Sequence, residues 1–297
     1  MPNVKANGVR IEYDTFGDLS SPPLLLIRGL GTQMTDWEED FCNLLADQGL
    51  FVIRFDNRDV GLSQKFEEGG VPDIMAALSA VMQGLEIQAP YSLDDMADDA
   101  IGLLDALEIK KAHIFGISMG SAITQIIGYS HPSRVLSLIP VMGSTGNPDL
   151  PPAKPEAMEV LLSPAPEERE AFIEHFKRGQ RVIWGSLPFD EDDINKRAAV
   201  SYERSNYPQG VARQLVATIS NGNRKPRLTS ITAPTLVIHG AADPLIPFEG
   251  GRDTAEAIPG AVLLKIEGMG HCLPRAAWPQ IVEAIAVLTK KASAKSG

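Results

Sequence analysis

The chain has 297 residues, 44% apolar and 22% charged, which excludes a disordered or fibrous polypeptide and allows a sizeable buried core. Its 38 acidic against 27 basic residues give a net charge of −11 with no offsetting basic stripe, so nucleic acid is not an expected partner. Only Cys42 and Cys272 are present, too few for a disulfide framework or a thiolate zinc site, and the opening MPNVKANGVRIEYD lacks the apolar core of a signal peptide, so a cytoplasmic location is expected.

Residues 4–13 predict an antiparallel hairpin at a sheet edge. Nearly continuous apolar runs follow at 24–27, 51–55, 113–117, 135–141, 235–239 and 262–266, the pattern of strands buried on both faces of a parallel sheet. Residues 71–88 are apolar and helix-prone and are expected to line the same cavity as the site. Leu93, Met96, Ala97, Ala100, Leu104 and Leu107 then recur at helical spacing, with Ser92 as N-cap and Asp94 and Asp95 in the positive first turn. Residues 147–227 open with a cluster of prolines and continue as helices without a strand candidate. They predict a helical cap, or lid, domain inserted into an α/β core domain formed by 1–146 and 228–297. The closing KKASAKSG predicts a frayed tail. No segment is apolar enough to span a bilayer.

The segment AHIFGISMGSAITQIIG places a strand, then Gly116-Ile117-Ser118-Met119-Gly120, then an apolar helix. That order fits a nucleophile elbow, where a sharp strand-to-helix turn lifts a serine hydroxyl above the sheet. The turn brings its neighbours against strand and helix, so glycine is required two positions before and two after the serine.

With these residues in place, the chain resembles the cap-bearing α/β-hydrolase family over nearly its whole length, and its motif order is similar to that of serine esterases of the aclacinomycin methylesterase type. The resemblance implies a mostly parallel central sheet flanked by helices, and a triad running serine, acid, histidine along the chain. A serine hydroxyl needs a base to take its proton. His113 precedes the elbow strand and is read as structural, His131 as packing or capping, and His175 as solvated on a polar stretch of the cap. His239 lies near the site without a clear task. His271, in the loop Gly268-Met269-Gly270-His271 after the last strand, is the candidate base. Asp243 follows the preceding strand and leaves room for one helix and one strand before His271, so it is the candidate acid.

Backbone N–H groups can stabilise a tetrahedral oxyanion. Met119 supplies one, and the family pattern points to Leu30, in Arg28-Gly29-Leu30-Gly31, for the other. Arg28 stands where relatives carry histidine. Trp37 matches a position where many relatives carry an aromatic residue, with a helix wedge as the alternative. Gly29, Trp37, Leu30, Met75, Met82, Trp184, Phe189 and Cys272 are the expected substrate contacts. The turn 55–63 resembles a structural aspartate-arginine-glycine turn whose charge pairs pin a loop beneath the site. Asp94, Asp95, Asp98 and Asp99 read as a solvated helix face, and Asp190, Glu191, Asp192 and Asp193 as a polar loop, so neither metal nor cofactor is expected.

Serine at the elbow argues against the relatives that use aspartate there for alkyl displacement. Acyl chemistry on a small-molecule ester is the leading expectation, with lactone, thioester or carbon–carbon hydrolysis and acyl transfer on the same triad as alternatives. A receptor with a vestigial triad is the competing class. No membrane partner is expected, and a homodimer is compatible with the sequence.

Overall fold

A computed structural model describes residues 2–294 of the chain. The opening hairpin forms from β1 (Asn3–Ala6) and β2 (Val9–Phe16), joined at Asn7 and Gly8, both with positive φ. Six strands follow: β3 (Pro23–Ile27), β4 (Phe51–Phe55), β5 (Ala112–Ile117), β6 (Val135–Val141), β7 (Leu236–Gly240) and β8 (Val262–Ile266). All eight join one sheet in the order β1-β2-β4-β3-β5-β6-β7-β8. β2 pairs antiparallel with β4, and every pairing from β4 to β8 is parallel.

The continuous apolar runs have a packing reason. In β3, Leu25 and Ile27 join one core cluster, while Leu24 and Leu26 join the cluster on the opposite face. Successive side chains point to opposite faces of a strand, so a strand covered on both sides needs apolar residues at every position. One face is covered by α3 (Leu93–Ala106) and α4 (Met119–Ser130), the other by α1 (Glu39–Ala46) and α11 (Trp278–Ser293). Ser92 caps α3 in a reciprocal capping box with Asp95. The helix α2 (Ile74–Met82) lies between β4 and α3, and α10 (Phe248–Ala257) connects β7 to β8.

Between β6 and β7 the chain forms α5 (Pro155–Leu162), α6 (Arg169–Ile183), α7 (Glu191–Arg204), α8 (Pro208–Ser220) and the short α9 (Lys225–Leu228). Buried ion pairs tie this insertion to the loop after β4: Arg204 reaches Asp56 at 2.7 Å and Arg213 reaches Asp59 at 2.8 Å. The turn 55–63 thus anchors the inserted helices.

Several sequence expectations are corrected. Asp99 is not on a solvated face: it is 2% exposed and accepts from Arg58 at 2.6 Å and Asn7 at 3.0 Å. Residues 190–193 are not a loop, because Asp190 caps α7 and the next three carboxylates fill its first turn, where the helix dipole favours them. The helix α11 runs to Ser293, through the first half of the expected tail; Lys295–Gly297 lie outside the described residues. No helix among the described residues is long and apolar enough to cross a membrane.

Candidate active site

Ser118 occupies the turn between β5 and α4 with φ 57° and ψ −116°. A non-glycine residue in that region costs about 1–3 kcal/mol and persists only where its surroundings impose it. Here they do. Ser118 N–H donates to the Val141 carbonyl at 3.0 Å. A Cβ on Gly116 would collide with the Gly120 carbonyl oxygen, and one on Gly120 would collide with that of Ile27. The two glycines are steric conditions for the turn.

His271 and Asp243 come to the same place from the loops after β8 and β7. His271 Nε2 lies 2.9 Å from Ser118 Oγ, and His271 Nδ1 lies 2.8 Å from Asp243 Oδ2. Asp243 Oδ1 accepts the N–H groups of Leu245 and Ile246, each at 2.9 Å. A carboxylate only accepts, so Nδ1 carries the ring proton and Nε2 presents a lone pair to the serine hydroxyl. Asp243 and His271 are buried, whereas Ser118 is partly exposed to the cavity above it.

The loop bearing His271 is stitched to the insertion. His271 N–H donates to the Ile183 carbonyl at 2.7 Å, and Gly270 N–H to that of Trp184 at 2.9 Å. Gly270 is required because any Cβ there would strike the Ile183 carbonyl oxygen. His239 supports the acid loop: its Nε2–H donates to the Ile246 carbonyl at 2.8 Å and lies 3.5 Å from Asp243 Oδ2. Burial lowers the His239 pKa, which keeps the ring neutral beside the pair.

The loop after β3 lies against the serine. A Cβ on Gly29 would sit 3.1 Å from Ser118 Cβ and 3.6 Å from its Oγ, so glycine keeps the approach to the hydroxyl open. Met119 begins α4, where backbone N–H groups point out of the helix unpaired. Gln214 of α8 braces the loop, accepting Gly31 N–H at 2.9 Å and donating to the Arg58 carbonyl at 2.7 Å.

A cavity of about 820 Å³ opens over Ser118 and His271, and Gly29, Leu30, Met75, Trp184 and Cys272 all line it. Three expected contacts do not. Trp37 is fully buried in the core, edge-on to Phe115 at 5.0 Å, so it wedges α1 rather than meeting substrate. Met82 ends α2 at 88% exposure, at the far end of the helix from Ile74 and Met75, which line the cavity. Phe189 packs edge-on against the far side of Trp184 at 5.0 Å. His175, expected in solvent, is half-buried and lines the cavity. Burial pushes the Cys272 thiol up to about 12, which keeps it neutral and removes it as a rival nucleophile. His113 lies in the core beside Ser137 Oγ at 2.8 Å, and His131 meets Asp98 at 2.9 Å, both away from the serine.

Two structural braces, Gln214 and the Ile183–Trp184 carbonyls, leave no mark in the sequence. A lone glutamine on an amphipathic helix and an undistinguished backbone segment carry no local signal. Among the described residues, no group of three or more His, Cys, Asp or Glu side chains is placed to hold a metal ion.

Known proteins share this fold. The family model for the α/β-hydrolase fold matches residues 22–274. Rhodomycin D methylesterase of Streptomyces sp. strain C5 is 30% identical over 308 aligned positions covering 96% of each chain. The corresponding methylesterase of Streptomyces peucetius is 28% identical, again over 96% of each chain. Among solved structures, the enol-lactonase of Burkholderia xenovorans superposes with a TM-score of 0.74 at 19% identity, covering 97% of this chain and all of that one. An esterase of Thermogutta terrifontis gives 0.73 at 22% identity over 98% of this chain and 99% of its own. The match along residues 22–274, together with full-length likeness to the methylesterases, establishes that this chain belongs to the α/β-hydrolase fold family.

Proposed function

We propose that the chain is a serine hydrolase that cleaves small carboxylic esters, with Ser118 as nucleophile, His271 as base and Asp243 as orienting acid. The observation that carries this reading is the continuous chain of contacts, 2.9 Å from Ser118 to His271 and 2.8 Å from His271 to Asp243, at the floor of the cavity. Ser118 Oγ attacks the ester carbonyl carbon as its proton passes to His271 Nε2. The carbonyl oxygen becomes an oxyanion facing the Met119 and Leu30 N–H groups, and Asp243 balances the imidazolium charge. As the tetrahedral species collapses, the C–O bond to the alcohol breaks and the alcohol leaves with the proton from His271. Water then repeats the sequence on the acyl-enzyme, releasing the acid and restoring Ser118.

The two relatives 28–30% identical over 96% of each chain are methylesterases, and a cavity of about 820 Å³ holds a drug-sized molecule, so a methyl ester of a bulky acid is the substrate class we favour. Residues 147–227 act as the cap in this proposal, with α5 to α8 roofing the cavity and fixing the His271 loop. The cytoplasm is the proposed compartment, compatible with the free thiols Cys42 and Cys272.

Turnover of p-nitrophenyl acetate and butyrate, with labelling of Ser118 by a fluorophosphonate probe located by peptide mass, tests the assignment. No turnover together with no label on Ser118 would remove the enzyme reading in favour of a receptor.

A further inference from the structure

Arg28 stands at the carboxyl end of β3 beside Gly29, and its guanidinium carbon lies 4.8 Å from the Trp37 ring centroid. Its Nε–H donates to Thr32 Oγ1 at 3.3 Å, and among the described residues no acceptor takes the N–H groups of its two terminal nitrogens. The charged groups around it are Asp36, Glu38 and Arg197. Both carboxylates are already committed. Asp36 accepts from Arg197 at 3.3 Å on one oxygen and from Gln33 N–H at 3.1 Å on the other. Glu38 faces Arg197 at 3.8 Å and is bound by Arg275.

Arg28 therefore has no carboxylate of its own, yet it lines the same cavity as Ser118 and His271. Burial pushes its pKa down to about 10, which leaves it cationic at neutral pH. Arg28 is half-buried, so its unused donors face the cavity, where an acceptor on a bound molecule can replace water, and a guanidinium's planar fork matches a carboxylate.

We propose that Arg28 binds a carboxylate carried by the substrate in addition to its scissile ester, and so selects for acidic esters. The inference rests on the ester-hydrolase reading above. With a net charge of −11, the protein as a whole repels anions, so any preference for an acidic ester must come from a local cation.

Two matched pairs test this, one for each side of the ester: the p-nitrophenyl monoester of glutaric acid against p-nitrophenyl pentanoate, and para-carboxyphenyl butanoate against phenyl butanoate. The measurement is the ratio of kcat/KM for the acidic member to that for the neutral one. In at least one pair the wild-type ratio should be about tenfold or more, and Arg28→Met should lower it by about 10- to 100-fold, the worth of a charge-assisted pair. Methionine can fill the space over Trp37, and Arg28→Gln serves if that variant does not fold. Arg28→Lys should keep part of the preference, since it restores charge without the fork. A merely structural role would lower both members equally. An unchanged ratio in Arg28→Met, or a wild-type ratio of one or less in both pairs, overturns the proposal. Absence of turnover on the neutral esters would instead strike the hydrolase reading, and this inference with it.

Discussion

Replacing Asp243 by asparagine isolates the electrostatic part of the triad from its geometry. Asp243 Oδ1 accepts two backbone N–H groups, from Leu245 and Ile246, while Oδ2 accepts from His271 Nδ1. In Asp243→Asn the amide oxygen should stay with the two N–H donors, which turns the amide NH2 toward His271. Nδ1 must then accept, Nε2 must carry the proton, and the ring can no longer take the proton of Ser118. Flipping the amide would restore the useful tautomer but would leave two N–H groups facing an NH2. At about 1–3 kcal/mol for each buried group left unpaired, the flip costs about 2–6 kcal/mol. Loss of the counter-charge to the imidazolium adds to this. We expect kcat to fall by about a thousand- to ten-thousand-fold, equivalent to about 4–5.5 kcal/mol. The backbone bonds of the 243–246 turn persist, so the melting temperature should move by only a few degrees. Steady-state kinetics on p-nitrophenyl butyrate, paired with thermal melts, measures both. A well-folded Asp243→Asn protein retaining more than a tenth of wild-type kcat would refute the reasoning.

Ser118→Ala and His271→Ala should each lower ester turnover by at least about ten-thousand-fold, and the double variant should lose little more, because the two act on one proton transfer; additive losses would assign the residues independent roles. His113 gives a stability test. Burial holds its pKa at about 4, below the ordinary 6.5, so the unfolded chain takes up the proton first. Its contribution is complete above about pH 6.5 and is lost as pH falls toward 4, amounting to about 3 kcal/mol. Urea melts at pH 7 and pH 4.5 should show His113→Gln losing less stability between the two than the wild type, and parallel losses would contradict the assignment.

The features legible in the sequence are those fixed by neighbours along the chain. The strands β3 to β7 showed as short apolar runs because both sheet faces are covered there, whereas the equally apolar run 262–266 forms the edge strand β8, with Val262 exposed, and α3 showed as a 3.6-residue period behind a capping serine. The elbow was legible because its strain demands glycine on either side of Ser118. Asp243 and His271 were placed by their order after two strands, not by local chemistry.

What only the tertiary structure decided are pairings between distant segments. Asp99 reads as one of four similar carboxylates until Arg58 is seen against it. Trp37, Met82 and Phe189 are apolar residues near the right segments, but which way each faces depends on the packing of α1, α2 and Trp184. Gln214, the Ile183 carbonyl and the unpaired end of Arg28 act across more than 80 residues of sequence. Local sequence determines backbone preference and burial period. Long-range complementarity is a property of surfaces that exist only once the chain has folded, and that is where the acid loop, the histidine loop and the cavity wall take their form.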